Sequence, residues 1–380
     1  MRIVATLMIR DEVDIVAAML EHHISQGVDL IIATDNGSVD GTTAVLEAYA
    51  ELGLVELHHD PVHRKQQHAL VTGMAQRAFT EHGADWVLNI DADEFFLARD
   101  RSLTVRDALE KIPLDLGAFT AEVTNLVGAP AQRGSGIDRL IWRDQRPEEA
   151  LRAVGVFAHP TPNAVHRGDA EVVVAQGNHF VSIASNGQPD PAFELEVLHL
   201  PWRSWEQTEL KVVNSGRAYE SSPDLRPSRN HHGMADYRRY KGGRLRYHYL
   251  LRLPTDEQIE LGARSGDFVA ETGLRDSLHQ LVETARRPDL LRASLDSSHD
   301  DIVPDDEHVL ATEIASMFIA LEAERTEEEL ATLEANAEIS SLRKQLANAP
   351  KYGRGRRLSR RIRNKAGRMA RSARRRVTGD

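Results

Sequence analysis

Residues 86–96 read Trp-Val-Leu-Asn-Ile-Asp-Ala-Asp-Glu-Phe-Phe, an apolar run that ends on two carboxylates one residue apart. A short apolar run of this kind, bounded by charge, suits a strand buried on both faces. Side chains two apart on an extended segment point the same way, so Asp91 and Asp93 are expected to converge on one point. Toward the N-terminus the same rhythm repeats. Arg2–Ile9 is an apolar run ahead of Arg10-Asp11-Glu12, and Ile15, Met19, Leu20 and Ile24 then recur at helical spacing up to Gly27. Leu30–Thr34 and Leu54–His58 read as further strands, with helices over Thr42–Leu52 and Gln66–His82. Short strands separated by helices predict βαβ units, hence an α/β fold with a mostly parallel sheet flanked by helices.

From about residue 101 the rhythm changes to mixed α and β. One helix is expected over Thr104–Ile112, and strand-like runs over Ala118–Val127, Val172–Ala175 and His179–Ile183. Residues 221–248, rich in Arg, His, Tyr and Gly, read as a long surface segment. From Thr255 the chain is mostly helical. Leu310, Ile314, Met317 and Leu321 fit one heptad seam, but the register slips before Leu330 and Leu333, which favours an ordinary amphipathic helix over a long coiled coil. The expected divisions are 1–100, 101–254, 255–350 and 351–380.

The 380 residues include no cysteine, which excludes a disulfide scaffold, thiolate zinc sites and cysteine nucleophiles, and fits a reducing, cytoplasmic setting. No stretch approaches 18 apolar residues, so no membrane span is expected. The apolar start of the chain reads as a first strand rather than a signal peptide. The 47 Lys+Arg and 58 Asp+Glu are unevenly spread: residues 351–380 hold 13 bases and one acid, leaving 34 bases against 57 acids in the other 350.

In an open parallel sheet, ligands bind past the carboxyl ends of the strands. Three such ends are polar here: Arg10-Asp11-Glu12, the loop Thr34-Asp35-Asn36-Gly37-Ser38-Val39-Asp40-Gly41-Thr42, and Asp91-Ala92-Asp93-Glu94. Two carboxylates aimed at one crevice repel unless a positive charge lies between them. A hard divalent cation, Mn²⁺ or Mg²⁺, bridging to substrate phosphates is the usual solution. Gly37, Gly41 and Thr42 are accounted for by turn and cap chemistry. Asp35 and Asn36 together at a strand end are the right groups to read a nucleotide base or its ribose hydroxyls. No G-x-G-x-x-G follows the first strand and no G-x-x-x-x-G-K-[ST] occurs, which weighs against dinucleotide-binding and P-loop enzymes.

With these stretches in view, the sequence resembles the family 2 glycosyltransferases of the GT-A fold. LMIRDE (7–12) is similar to their first-strand motif, with Asp11 where Asn is usual. DNGSVDGT (35–42) is similar to their D-D/N-x-S-x-D-G-T loop, and NIDADEFF (89–96) to the D-x-D-E-F segment of a bacterial subgroup. VHRGDAEVVVAQGNHFV (165–181) and VLHLPWRSWEQTELKVV (197–213) are similar to that subgroup's Q-G-N-H and H-x-P-x-R-S…K blocks, although Asn163 stands where the subgroup has Lys.

The likeness covers about residues 1–250 and implies a metal-dependent, inverting transfer of sugar from a UDP- or GDP-sugar donor to a glycan or lipid-linked acceptor. It implies base and ribose contacts from Asp11, Asp35 and Asn36, a ribose or metal contact from Asp91, and metal ligation by Asp93, with His199 as third ligand. Arg203 and Lys211 would offset diphosphate charge. His166, Arg167 and His179 would lie on the acceptor or phosphate side. Asp169, Asp190, Glu194 and Glu196 are candidates for the base, with Asp190 and Glu196 preferred. In these terms residues 1–100 are the nucleotide-sugar-binding half, 101–254 the acceptor-side half, and 255–350 a helical extension. Of the other histidines, His22, His23, His58, His59, His63 and His68 read as surface or cap residues. Trp202 and Trp205 read as packing residues.

Residues 354–377 place Leu358, Ile362, Ala366, Met369, Ala373 and Val377 at steps of three and four on an otherwise basic stretch. That is the pattern of a helix lying on an anionic membrane surface, here the inner face, with a disordered tail as the alternative. Nucleic acid weighs less, since Tyr352 is the lone aromatic of 351–380. Two other functions compete: a nucleotidyltransferase, which would carry a Gly-rich basic signature after the first strand, and a catalytically inactive binding module of the same fold.

Overall fold

The computed structural model describes residues 1–61, 67–220, 232–323 and 340–341. His63, Leu330, Leu333 and the basic segment 354–377 lie outside the described residues. The chain divides into two compact units, Met1–Glu313 and Ile314–Asp380.

The first unit begins with β1 (Ile3–Ile9), α1 (Val16–Ser25), β2 (Leu30–Asp35), α2 (Thr42–Ala50), β3 (Val55–His59), α3 (Gln67–Thr80) and β4 (Trp86–Ile90). It continues with β5 (Glu94–Ala98), α4 (Val105–Leu109), β6 (Ala118–Val127), β7 (Trp142–Asp144), α5 (Glu148–Ala153), β8 (Asn163–Arg167) and β9 (Leu195–His199). It closes with α6 (Trp205–Glu220), α7 (His232–Lys241), α8 (Leu245–Arg252), α9 (Asp256–Ser265), β10 (Phe268–Ala270), α10 (Gly273–Leu281) and α11 (Pro288–Leu295). In the second unit, residues 314–323 and 340–341 are helical.

The sheet runs β10-β7-β6-β8-β4-β1-β2-β3, with β5 paired to β9 and β9 also to β6. β3, β2, β1 and β4 are mutually parallel, because each is linked to the next by a helix that returns the chain to the same edge. Ile3, Val4, Ala5, Leu7, Ile31, Ile32, Trp86, Val87 and Leu88 are wholly buried in this half. A fully buried Leu, Ile or Val contributes about 1.5–3 kcal/mol each, so the parallel half forms a stiff platform. The register pairs Ile9 with Asp35 and Leu7 with Ile90, so the polar ends of three strands emerge on one edge.

β8 reverses direction against β4 and β6, and β7 and β10 continue the antiparallel side. The α/β class therefore holds, with a parallel half and a mixed half.

Three sequence expectations need correction. Residues 172–175 and 179–183 form no regular strands, only the isolated bridge Val174–Val181. Within 221–248, residues 232–241 and 245–252 fold into α7 and α8. Leu245, His248, Tyr249 and Leu250 are buried, and the apolar seam made by Val212, Tyr237 and Leu245 explains why this polar-looking segment is not simply surface. His22 and His23 are buried within α1 rather than exposed, since β5 covers their face of the helix. Trp202 and Trp205 do pack against the core, each with an arginine over its ring.

Candidate active site

Past β1, Asp11 takes a left-handed backbone (φ 54°) and is buried. Its N–H donates to Ser38 Oγ at 3.0 Å, and its Oδ1 accepts from the Val39 N–H at 2.8 Å. Past β2, Asp35 Oδ1 accepts from the Ser38 N–H (2.9 Å) and hydroxyl (2.7 Å), and Oδ2 accepts from the Thr43 hydroxyl. Asn36 donates to the Asp60 carbonyl at 2.8 Å, and its own carbonyl accepts from Arg10 Nη1 at 2.7 Å. The structure thus brings Asp11, Asp35 and Asn36 to one edge, as buried groups that frame the 36–42 loop. Gly41, at φ 112°, gives the tight entry into α2 that a side chain would strain.

Residues 91–93 form a turn between β4 and β5, closed by the Glu94 N–H on the Asp91 carbonyl at 3.2 Å. That turn replaces the extended segment from which convergence was expected, and the two carboxylates take different partners. Asp91, partly exposed, accepts from Asn178 Nδ2 at 3.1 Å. Asn178 is placed by a turn in which Gly177 (φ 85°) and Asn178 (φ 66°) are both left-handed. The Asp91 N–H donates to Glu94 Oε2 at 3.1 Å, which also accepts from Asn163 Nδ2 at 2.7 Å. His179 Nδ1 lies 3.2 Å from Asn163 Oδ1. Burial, and next the Asp91 charge, push the Glu94 carboxyl up to about 7.

Asp93 is buried on the other side of the turn. Its Oδ2 receives Lys211 Nζ at 2.6 Å, with His199 Nε2 at 3.4 Å and Arg203 Nη1 at 3.8 Å. Burial by itself would raise its pKa, but Lys211, His199 and Arg203 outweigh that and hold the carboxyl well below the usual range. Lys211 also lies 3.2 Å from Glu12 Oε1. Arg203, with no solvent exposure, binds Asp14 through Nε (2.6 Å) and Nη2 (2.9 Å) and pairs with Glu12. His199 Nδ1 is 2.9 Å from Asn125 Oδ1, which fixes its ring.

The expected Mn²⁺ or Mg²⁺ does not fit this donor set. Asp93 already carries the Lys211 ammonium and faces the Arg203 guanidinium and the His199 ring. Among the described residues no three or more His, Asp or Glu are grouped so as to hold a metal ion.

Other expected residues lie elsewhere. β8 runs antiparallel to β4, with Arg167 opposite Trp86 and His166 opposite Val87, so both sit at the amino edge, away from Asp91. His166 is buried and its pKa is lowered to about 4 by that burial. Asp169 is 3.7 Å from Arg167 near that same edge, and Glu194 is 3.3 Å from Arg99. Asp190 is exposed and caps the short turn after it, accepting from the Ala192 N–H at 2.9 Å. Glu196 is three residues from His199 on β9, hence on the opposite face of the strand. Arg143 (2.8 and 2.9 Å) and Arg101 (2.6 Å) clamp it. Against a burial effect that would raise its pKa, those arginines hold it below the ordinary range, which makes it a poor proton acceptor.

Glu12, Asp14, Glu94, Asn125 and Asn178 complete the site and were not singled out from the sequence. Glu12, Glu94 and Asn178 lie inside the quoted motifs, so motif membership was a usable signal for them. Asp14 and Asn125 offer none.

Comparison with known proteins gives one family. The model of glycosyltransferase family 92 matches residues 4–115, the part that carries β1 to β4 and all three polar strand ends. No curated protein matches the chain. Among solved structures, S. aureus TarS (residues 1–349) is 14% identical over 78% of this chain and 91% of that one, with a TM-score of 0.34. Its complex with UDP-GlcNAc is 12% identical over 78% and 91%, also at 0.34. A putative glucose-1-phosphate thymidylyltransferase from Bacillus anthracis is 10% identical over 35% of this chain and 61% of that one, at 0.22. Nothing about this chain's activity follows from likenesses of that size. The family 92 match marks residues 4–115 as part of a glycosyltransferase.

Proposed function

We propose that this chain transfers a sugar from a nucleotide-sugar donor to an acceptor hydroxyl. One coincidence carries the reading. The residues that match a glycosyltransferase family are those whose strand ends bring Asp11, Asp35, Asn36, Asp91 and Asp93 to a single edge of the sheet. The motif order favours a family 2 relationship and a UDP- or GDP-sugar, while the matching model is that of family 92; both are compatible with a nucleotide-sugar site.

In this reading the loop framed by Asp11, Asp35 and Asn36 receives the base and ribose. Lys211, partly exposed, offers positive charge toward the departing diphosphate, and Arg203 keeps Glu12 and Asp14 neutralised behind it. The bond from the anomeric carbon to the nucleoside diphosphate breaks through an oxocarbenium-like state, and an acceptor hydroxyl attacking from the opposite face inverts that carbon while giving its proton to a carboxylate at the same edge. Asp91, Asn178 and His179 border the acceptor side. Asp190 and Glu196, engaged elsewhere, take no part in the proton transfer. A glycan or lipid-linked acceptor, and a role in cell-surface glycan synthesis, belong to the same proposal.

Calorimetric titration with UDP, GDP and their sugars tests the donor site. Saturable binding of one nucleotide series, weakened in Asp91→Asn, is expected. A folded protein that binds none of them refutes the reading.

A further inference from the structure

We propose that Lys211 is a built-in cation at Asp93 and Glu12, holding the place that a divalent ion would otherwise take. Its Nζ lies 2.6 Å from Asp93 Oδ2 and 3.2 Å from Glu12 Oε1, bridging two buried carboxylates that come from different loops. The contact is not that of a wandering surface lysine. Gln207, Lys211 and Asn214 share one face of α6 at helical spacing, and all three reach the same acidic edge. Gln207 donates to the Asp11 carbonyl at 2.7 Å and to Glu12 Oε2 at 3.1 Å, and Asn214 donates to Asp11 Oδ2 at 3.3 Å. The two amides fix the helix in register, and the register delivers the ammonium.

Arg203, in the turn between β9 and α6, strengthens the case. Its buried Nη1 has no hydrogen-bond partner among the described residues and lies 3.8 Å from Asp93 Oδ2, so two fixed cations face one carboxylate. A divalent ion binds carboxylate oxygens at about 2.0–2.2 Å with waters completing its shell. An ammonium already on that oxygen blocks such a shell by occupancy and by like charge. The inference deepens the donor reading: if a nucleotide diphosphate binds here, the protein's own ammonium meets it, and a chelator leaves binding unchanged.

The test is a Mn²⁺ titration of the full-length protein without nucleotide, followed by electron paramagnetic resonance of the free ion. Wild type is expected to take up no Mn²⁺ at this site, judged by the absence of any difference from Asp93→Asn. Lys211→Ala and Lys211→Gln are each expected to bind Mn²⁺ about tenfold or more tighter than wild type, since one fixed positive charge has left the carboxylates. Adding Asp93→Asn to either should abolish that gain, and Lys211→Arg should show none. Lys211→Gln keeps a polar side chain only one bond shorter, so circular dichroism on both neutral variants separates loss of charge from loss of fold. Wild-type Mn²⁺ binding that Asp93→Asn removes would overturn the inference, as would folded neutral variants that bind no better than wild type. Failure of every nucleotide to bind would count against the donor reading alone, because the Mn²⁺ measurements involve no nucleotide.

Discussion

Arg203 illustrates what single residues contribute. It is fully buried yet charged, and that is tolerable only because Glu12, Asp14 and Asp93 surround it. Replacing it with Met, which matches only its aliphatic stem, leaves the buried Glu12 and Asp93 under-compensated. Arg203→Met is therefore expected to cost about 3–5 kcal/mol, read as a drop in the urea midpoint with the slope unchanged. Asp190→Ala provides the contrast. Exposed and bonded only to its own turn, Asp190 should change stability by less than about 0.5–1 kcal/mol on removal and leave transfer rate unaltered. A large loss of rate with Km unchanged would restore it as the base. At this scale the sequence was informative where chemistry followed a buried strand, as at Asp91 and Asp93. It was silent on Arg203 with Glu12, because nothing local pairs residues 191 positions apart.

Among elements, α1 shows why periodicity reads one face and misses another. Ile15, Met19, Leu20 and Ile24 mark a stripe, but α10, α11 and β5 cover further faces, so His22 and His23 are enclosed too. Both rings work as neutral groups. His22 Nε2–H donates to the Phe96 carbonyl at 2.7 Å. His23 Nδ1–H donates to the Met19 carbonyl at 2.9 Å, while its Nε2 accepts from the Phe96 N–H at 3.4 Å. Burial lowers their pKa values to about 3 and 4, and that of His166 to about 4. The unfolded chain binds these protons near pH 6.5 and the folded chain only near 3 to 4, so stability is full above that upper value. It should fall with pH through this window by about 1.4 kcal/mol per pH unit for each histidine. His23→Gln should flatten the slope of urea midpoint against pH, and an unchanged slope would argue against a buried neutral ring. The α6–α7 contact gives a steric test. A Cβ at Gly216 would lie 2.2 Å from the Tyr237 ring, so Gly216→Ala should destabilise by about 1–3 kcal/mol despite alanine's better helix propensity. A higher melting temperature would contradict that packing.

Across the whole molecule, the parallel half was legible because strand, helix and turn signals there are local and regular. The mixed half was less so. Its strands pair mostly antiparallel, β6 with β9 being parallel, and across long separations, and its loops 172–183 are held by one bridge and by side chains of α3, such as Gln76 donating to the Val172 carbonyl at 2.9 Å. Charge is the other large-scale feature: 13 bases and one acid in 351–380, against a body of 34 bases and 57 acids. If the tail binds an anionic membrane surface, full-length protein should co-sediment with anionic vesicles and a 1–350 form should not, the difference shrinking with salt. Equal sedimentation would remove the anchor. Among the described residues no helix is long and apolar enough to cross a membrane. The proposed function places a nucleotide-sugar donor at the carboxyl edge of the parallel strands. Incubating full-length protein with a panel of UDP- and GDP-sugars and measuring released nucleoside diphosphate tests it. The expected result is release from one donor, cut about tenfold or more in Asp91→Asn. No release from any donor by folded wild type, or equal release by wild type and Asp91→Asn, would contradict it.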